Sequence, residues 1–516
     1  MPDSPLHDTS MDNTVRGGIM VTLLPSCALH GIEAQAVEIQ VSSSQGMLPS
    51  IVITGLPDTS VKESKDRIDA AIRSIGERIP PRRITINLSP ADRKKSGTHF
   101  DFAIAVALLM QTGKIPKQQD NVKTTFLGEL GLDGSLLLGR QVNGLLIACQ
   151  ELGIERVFLP RSASEHIHFV PQIEVLLVDT LFHALEVLRG QVAPEALARE
   201  ECQDSLHAPA DTRLDFCHIQ GQHLAVQSAL IAAAGHHNLL LCGPPGIGKS
   251  MIAEALPGIL PPLTYGEYLE VLKVYSVSGE HYASSRPPYR SPHASTSEVA
   301  LIGGGTHATP GEISLAHRGV LLLDEMPEFR RKSLEALRQP LESGTVQISR
   351  AAQKQSYPAG FLLIGTMNLC PCGKSGHDDD SCTCSEYDKE RYLAKLSAPV
   401  LDRIDLHVTM QREHGARAHA STAIMAEHVL LCRQRQMHRQ QCLNGRLQGE
   451  ALSEHCQLRG ELAQTLQTAA RTYDLSLRGQ DRVLRVARTI ADLSGAPHID
   501  RSALLQALHY RPKVKI

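Results

Sequence analysis

At 516 residues the chain exceeds what one hydrophobic core supports, since single cores stop growing at roughly 250–300 residues. Its 42% hydrophobic and 21% charged content is ordinary for a globular protein, and a formal net charge of −3 excludes a bulk positive field, so any nucleic-acid site is a local patch or a ring of copies. The longest apolar run, Phe102 to Met110, is too short for the ~20 residues that span a bilayer, and no membrane association is expected.

The first nineteen residues are polar and lack the apolar stretch of a secretory signal, so 1–19 is expected to be a disordered tail. Translation starts at Met1 or at Met20, where a strand-like VTLLPSCALHG begins. Twelve cysteines without a secretory signal argue for thiols or metal ligands in a cytoplasmic protein rather than a disulfide scaffold. Residues 20–195 alternate strands and helices. Val37–Val41, Ser50–Leu56 and Arg82–Pro90 read as strands, and Asp101 to Met110 as an apolar helix. Phe126–Gly139 reads as a hairpin turning at Asp133–Gly134, followed by the helix GLLIACQELG and the strand ERVFLP. A polar, Ala-rich stretch without periodicity places a linker at 196–215. Strand–loop–helix units fill 216–410, and 411–516 is helical. There Val483, Val486, Ala487, Ile490, Ala491 and Leu493 mark one face, and Asp500 caps a last helix running through Leu508.

Three apolar strands in the 216–410 region end in chemistry. After Asn238–Cys242 comes GPPGIGKS: Gly243, Pro244, Pro245, Gly246, Ile247, Gly248, Lys249 and Ser250, the full phosphate-loop pattern opening a helix near Lys249. Its glycines let backbone N–H groups turn around ATP phosphates at the positive end of a helix; Lys249 reaches the β/γ-phosphates and Ser250 binds Mg²⁺. GVLLLDEMPEF (Gly319–Phe329) ends in Asp324, placed to hold the Mg²⁺ shell, and Glu325, placed to polarise the attacking water. GFLLIGTMN (Gly360–Asn368) ends in Asn368, which could orient the same water. Further on, LDRIDLHV carries Arg403 between apolar residues, and SLRGQDRV puts Arg478 at the start of a helix.

In this order the five segments resemble Walker A, Walker B, sensor 1, arginine finger and sensor 2 of the AAA+ ATPases. The stretches GQHLAVQSALIAAAGHHNLLLCGPPGIGKS, RPPYRSPHASTSEVALIGGG, PGEISLAHRGVLLLDEMPEF and LDRIDLHV are similar to the magnesium-chelatase-like ComM/YifB family, from about residue 20 to the C-terminus. Departures are small: Ser250 for the commoner Thr, and SAPVLDR for the more usual SGPLLDR. The resemblance implies an α/β chain with an N-terminal Lon-protease-like (ribosomal S5 domain 2-like) α+β domain at 20–195, an AAA+ P-loop core at 216–410 and a helical lid at 411–516. It further implies that Arg403 projects into a neighbouring subunit's ATP and that Arg478 contacts ATP in cis.

In the Lon family a Ser nucleophile is activated by a Lys. Aligning SGTHFDFAIAVALL and GSLLLGRQVNGLLIAC with those segments puts His99 at the Ser position and Asn143 at the Lys position, so a Ser–Lys peptidase is not expected. Nearby, Arg93, Lys94 and Lys95 sit with Arg82 and Arg83, either as a solvated basic face or as a contact to DNA or a neighbouring subunit.

Two segments are candidates for DNA contact. The long insertion Gly279 to Gly305 carries His281, Arg286, Arg290 and His293; loops this long are functional or disordered, and the resemblance favours a helix-2 insert facing a central pore. TVQISRAAQKQSYPAGFLLI reads as a pre-sensor-1 hairpin with Arg350 and Lys354 near its tip, either solvated or, in six copies, lining one strand with positive charge. Finally, LCPCG and SCTCS supply Cys370, Cys372, Cys382 and Cys384 around a loop with His377 and three Asp: a Zn²⁺ site, or free or redox-active thiols, since C-x-C is tighter than common zinc spacing. The leading reading is a homohexameric, ATP-driven branch-migration helicase that acts on single-stranded and branched DNA during integration of incoming DNA in natural transformation, alongside recombination proteins. The alternative is a chelatase-type or chaperone-like AAA+ motor that remodels a protein.

Overall fold

The computed structural model describes residues 13–16, 19–44, 48–116, 121–139, 141–198, 214–305, 308–350, 353–375, 382–412 and 419–511. These fall into two compact units, 1–208 with 272–284, and 209–271 with 285–516.

The first unit holds two sheets. β1 (Asn13–Arg16), β2 (Ile19–His30), β3 (Glu33–Ser44), β4 (Ser50–Thr54) and β5 (Arg83–Ser89) form one sheet in the order β1-β2-β3-β5-β4, antiparallel except for the β4/β5 pair. Alternating burial along β3 and β5 turns Val37, Ile39, Val41, Ile84, Ile86 and Leu88 inward, as a one-sided sheet requires. Their partner is the helix Phe100–Gln111, whose FDFAIAVALL stretch is buried on every face. Asp101 lies within that buried stretch and is neutralised by Arg67 Nε at 2.7 Å and by a hydrogen bond from Ser64. In the second sheet β6 (Thr124–Phe126), β9 (Arg156–Pro160) and β10 (Glu174–Val178) run parallel, with β11 (Glu195–Ala196) antiparallel on the edge. The expected hairpin is smaller than its span: β7 (Glu129–Leu130) pairs β8 (Leu136–Leu137) around Asp133–Gly134, while Phe126 pairs with β9 instead.

Two expectations for this region are corrected. Residues 13–16 and 19 are in strands, because the edge of β2 offers unpaired backbone groups that Asn13–Arg16 satisfies; 1–12, 17 and 18 lie outside the described residues. Lys95 is not part of a solvated basic face. Its side chain is buried and donates to the Arg93 carbonyl at 2.9 Å, while Arg93, Lys94 and Arg82 are exposed.

The second unit is built on a five-stranded parallel sheet, order β13-β16-β19-β12-β20. Its members are β12 (Leu239–Cys242), β13 (Tyr289–Arg290), β16 (Val320–Leu323), β19 (Leu362–Met367) and β20 (Leu406–Thr409). The runs LLL, VLLL and LLI read as continuous apolar segments because a central parallel strand is covered on both faces. Two small hairpins accompany it, β14 (Gly303–Gly304) with β15 (Thr309–Pro310), and β17 (Thr345–Arg350) with β18 (Gln353–Pro358). One hydrophobic cluster joins the sheet to the helices His223–Gly235, Thr422–Gln440, Leu477–Leu493 and Arg501–His509. Val483, Val486, Ala487 and Ala491 are buried as the helical spacing requires, while Ile490 and Leu493 are half-buried; Asp500 accepts the Ala503 N–H at 2.7 Å. Within the linker span, 199–213 lie outside the described residues. No helix among the described residues is long and apolar enough to cross a membrane.

Candidate functional site

The sheet order brings three strand ends together, because β19 lies between β12 and β16. The loop Gly243–Gly248 leaves β12 and enters the helix Lys249–Ala255. Gly246 and Gly248 have φ of +75° and +96°, which L side chains rarely adopt, and a side chain at Gly243 would collide with the Met410 carbonyl. Backbone N–H groups are thereby left to converge at a helix N-terminus, the arrangement that cradles phosphates. Lys249, nearly buried, donates to the carbonyls of Gly243 (2.7 Å) and Pro244 (2.8 Å) and to Asn368 Oδ1 at 3.1 Å. Burial lowers its pKa, opposed by the charges of Asp324 and Glu325.

Ser250 Oγ lies 3.2 Å from Asp324 Oδ1 and 3.4 Å from Oδ2, so hydroxyl and carboxylate share one point. Those hydroxyl and carboxylate oxygens are the donors that Mg²⁺ takes, an ion that keeps several of its waters. Glu325, exposed beside it, has φ +51°. A residue that sequence reading passed over sits beneath both: buried Thr366 of β19 donates to Asp324 Oδ1 at 2.5 Å and accepts the Glu325 N–H at 2.9 Å. Its signal in the sequence is a lone hydroxyl inside the apolar run LLIGTM.

Arg403 and Arg478 are elsewhere. Both meet Glu342: Arg403 Nη2 closely, Arg478 Nη2 at 3.6 Å. They line a cleft of about 330 Å³ with Arg446, Arg482 and Arg485, and no residue of the Gly243–Ser250 loop lines it. Arg403 also donates from Nη1 to the Pro399 carbonyl at 2.7 Å, and its buried Nε has no hydrogen-bond partner among the described residues. The start-of-helix position of Arg478 carries it to the Arg403 cleft in this structure. Glu342, the carboxylate common to both, carried no motif in the sequence.

Cys370, Cys372, Cys382 and Cys384 have their Sγ atoms within 4.8 Å of one another, with contacts of 3.3 Å (370–372), 3.6 Å (370–382) and 3.7 Å (372–382). A tetrahedral site with Zn–S of about 2.3 Å has sulfurs about 3.8 Å apart, so the donor set fits zinc despite its C-x-C spacing. The loop runs against the phosphate loop, since a side chain at Gly373 would meet the Pro245 ring at 3.3 Å. His377 and Asp378–Asp380 lie outside the described residues.

Of the DNA candidates, Arg290 gives its guanidinium to Glu312 in two hydrogen bonds of 2.6 and 2.7 Å. Arg286 is half-buried and Lys354 exposed. Arg350 closes β17 opposite Gln353, next to the Ser349–Lys354 pair, and residues 351 and 352 at the tip lie outside the described residues. Tyr357 of β18 donates to the Ala308 carbonyl at 2.9 Å, tying this hairpin to the end of the insertion.

In the first unit, His99 is buried with Nε2 3.0 Å from the Cys27 carbonyl, and burial lowers its pKa to about 4. Asn143 spends its amide on backbone, donating to the His166 carbonyl at 2.8 Å and accepting the His168 N–H at 3.1 Å. Neither geometry offers a nucleophile or its activating base.

Family comparisons match this chain along its length. Residues 215–418 match the family described as magnesium chelatase, subunit ChlI; 37–163 match subunit ChlI of Mg-chelatase; 419–511 match the subunit ChlI C-terminal family. The uncharacterized protein YifB of Salmonella typhimurium is 39% identical over 94% of this chain and 96% of its own length. The chain belongs to the magnesium-chelatase-like ComM/YifB family. Competence protein ComM of Haemophilus influenzae is 38% identical over 96% of this chain and 98% of its own. A third of the chain is 28% identical to the DNA replication licensing factor mcm2 of Xenopus tropicalis, covering 16% of that protein. This is thus a ComM-type AAA+ protein, with the nucleotide chemistry that family implies.

Proposed function

We propose that the chain is an ATP-hydrolysing motor that assembles as a homohexamer and moves DNA branches in the cytoplasm, promoting integration of incoming DNA during natural transformation. The observation that carries the ATPase part is the convergence of Lys249, Ser250, Asp324, Glu325 and Asn368 at the ends of β12, β16 and β19. In the proposed mechanism the Gly243–Ser250 loop binds the phosphates and Lys249 exchanges its loop carbonyls for phosphate oxygens. Ser250 and Asp324 hold Mg²⁺, which when bound neutralises phosphate charge. Glu325 takes a proton from the attacking water while Asn368 orients it. Arg403, collected with Arg478 in a separate cleft, serves the nucleotide of a neighbouring subunit while Arg478 contacts ATP in cis; each site then depends on its neighbour, and this supports a ring. The helices beyond Thr422 act as the lid.

The DNA part rests on the similarity to a competence protein and on Lys354 exposed beside Arg350 on a hairpin. With Arg286 on the insertion these residues would contact phosphates in six copies around a pore; loading partners among recombination proteins belong to the same reading. The first unit, with His99 and Asn143 at the dyad positions, is proposed as a Lon-like fold without peptidase activity. Zn²⁺ is proposed on Cys370, Cys372, Cys382 and Cys384, because the four sulfurs lie within 4.8 Å of one another. The second reading, a motor that remodels a protein, is favoured by the match of three chelatase-subunit families along the chain. ATPase rates with and without single-stranded, duplex and branched DNA separate the two: the DNA motor is stimulated by DNA, the protein remodeller is indifferent to it.

A further inference from the structure

We infer that Thr366 is the positioning residue that aligns the metal-holding and water-activating carboxylates of the ATP site, an inference that rests on the hydrolysis reading above. The Thr366 side chain is fully buried, yet its hydroxyl meets the Asp324 carboxylate and the Glu325 backbone N–H at the end of the neighbouring strand. One hydroxyl performs two tasks. Its proton goes to Asp324 Oδ1 at 2.5 Å, which fixes the rotation of that carboxylate about the point it shares with Ser250 Oγ. Its lone pair accepts the Glu325 N–H at 2.9 Å, which holds that residue at φ +51° and ψ +51°. A left-handed backbone at a residue other than Gly, Asn or Asp is uncommon and persists where surrounding contacts over-determine it. Here it re-aims the Glu325 side chain away from the direction in which β16 would have continued.

The position explains why a hydroxyl is needed. Thr366 pairs with Leu241 of β12 and follows Gly365, the partner of Leu323, so it stands between the phosphate-loop strand and the carboxylate strand. Asp324 and the Glu325 N–H need a group that donates to one and accepts from the other, which a hydroxyl does and an aliphatic side chain does not. Val is close to Thr in shape and removes only this capacity. Loss of the hydroxyl leaves the Glu325 N–H without its partner and frees the Asp324 carboxylate to rotate.

The test uses the full-length protein with Thr366→Val and Thr366→Ser, measuring steady-state ATPase against ATP and against Mg²⁺, and binding of a non-hydrolysable ATP analogue. Thr366→Val is expected to lower kcat roughly 10- to 100-fold with KM for ATP little changed, as misplacement of a reacting group does. The Mg²⁺ concentration at half-saturation should rise about 10-fold, the scale on which outer-shell partners act. Thr366→Ser, which restores the hydroxyl, should recover most of both. A Thr366→Val protein within about twofold of wild type in kcat and in Mg²⁺ dependence overturns the inference. So does a Thr366→Ser protein as impaired as Thr366→Val, since the methyl group and not the hydroxyl would then matter. If Thr366→Val fails to bind the analogue, Thr366→Ser decides alone: near-wild-type kcat supports the inference, and loss beyond tenfold overturns it. Wild-type protein that does not hydrolyse ATP fails the hydrolysis reading instead, and the Mg²⁺ dependence of analogue binding still reads the Asp324 arm.

Discussion

At the scale of single residues, Lys249 and Glu325 lie in one site and are proposed to act on different parts of ATP hydrolysis. Lys249 is held among loop carbonyls that phosphate oxygens replace, so Lys249→Ala should weaken nucleotide binding itself. Glu325 is exposed, with its N–H on Thr366 and its carbonyl on the Glu328 N–H, so Glu325→Gln should leave binding intact while hydrolysis falls by orders of magnitude. Analogue binding and single-turnover hydrolysis measured on both variants check this assignment, and near-wild-type turnover by Glu325→Gln contradicts it. His99 makes a different kind of prediction. Burial lowers its pKa from 6.5 to about 4, so the unfolded chain binds a proton that the folded chain refuses. Its share of stability is present above pH 6.5 and is lost at about 1.4 kcal/mol per pH unit as pH falls from 6.5 towards 4. His168 and His407 are lowered to the same degree and act in the same direction. Urea unfolding at pH 7 and pH 5 should therefore show a smaller acid loss for His99→Gln than for wild type.

At the scale of elements, the zinc proposed on Cys370, Cys372, Cys382 and Cys384 can be tested by itself. Protein purified without tag or chelator should contain about one zinc per chain, and Cys370→Ser with Cys384→Ser should lose it, measured by elemental assay. Metal-free protein with full activity contradicts the zinc site. How far such elements could be read from sequence depended on whether the signal was local. The phosphate loop, the carboxylate strand and Asn368 were legible because each pairs a continuous apolar strand with a fixed polar terminus. The helix Leu477–Leu493 was legible from its spacing. Long-range pairing was not. Nothing local shows that Glu342 collects both Arg403 and Arg478 or that Glu312 pairs with Arg290. The strand at Asn13–Arg16 was missed because its partner, not its composition, makes it a strand. Thr366 was visible as a polar interruption of a buried strand, but its meaning needed the neighbouring strand end.

At the scale of the whole molecule, the proposed role of Arg403 in a neighbouring subunit's site would make each copy half of a composite site. Arg403→Ala and Lys249→Ala should each be inactive alone. Mixed in equal amounts, they should recover part of the hydrolysis, because some junctions then pair an intact phosphate loop with an intact arginine. No recovery in demonstrably mixed rings contradicts an intersubunit site. The central claim, that hydrolysis moves DNA, is tested most directly by branch migration of a synthetic four-way junction, using wild-type protein and the Arg350→Ala, Lys354→Ala double variant with ATP. Wild type should resolve the junction into duplex products only with hydrolysable ATP. The variant should bind DNA more weakly, with a flatter salt dependence because fewer counterions are released, and should fail to migrate the branch. Wild-type protein that is hexameric with ATP yet neither binds nor moves the junction would contradict the account and favour a motor that acts on protein.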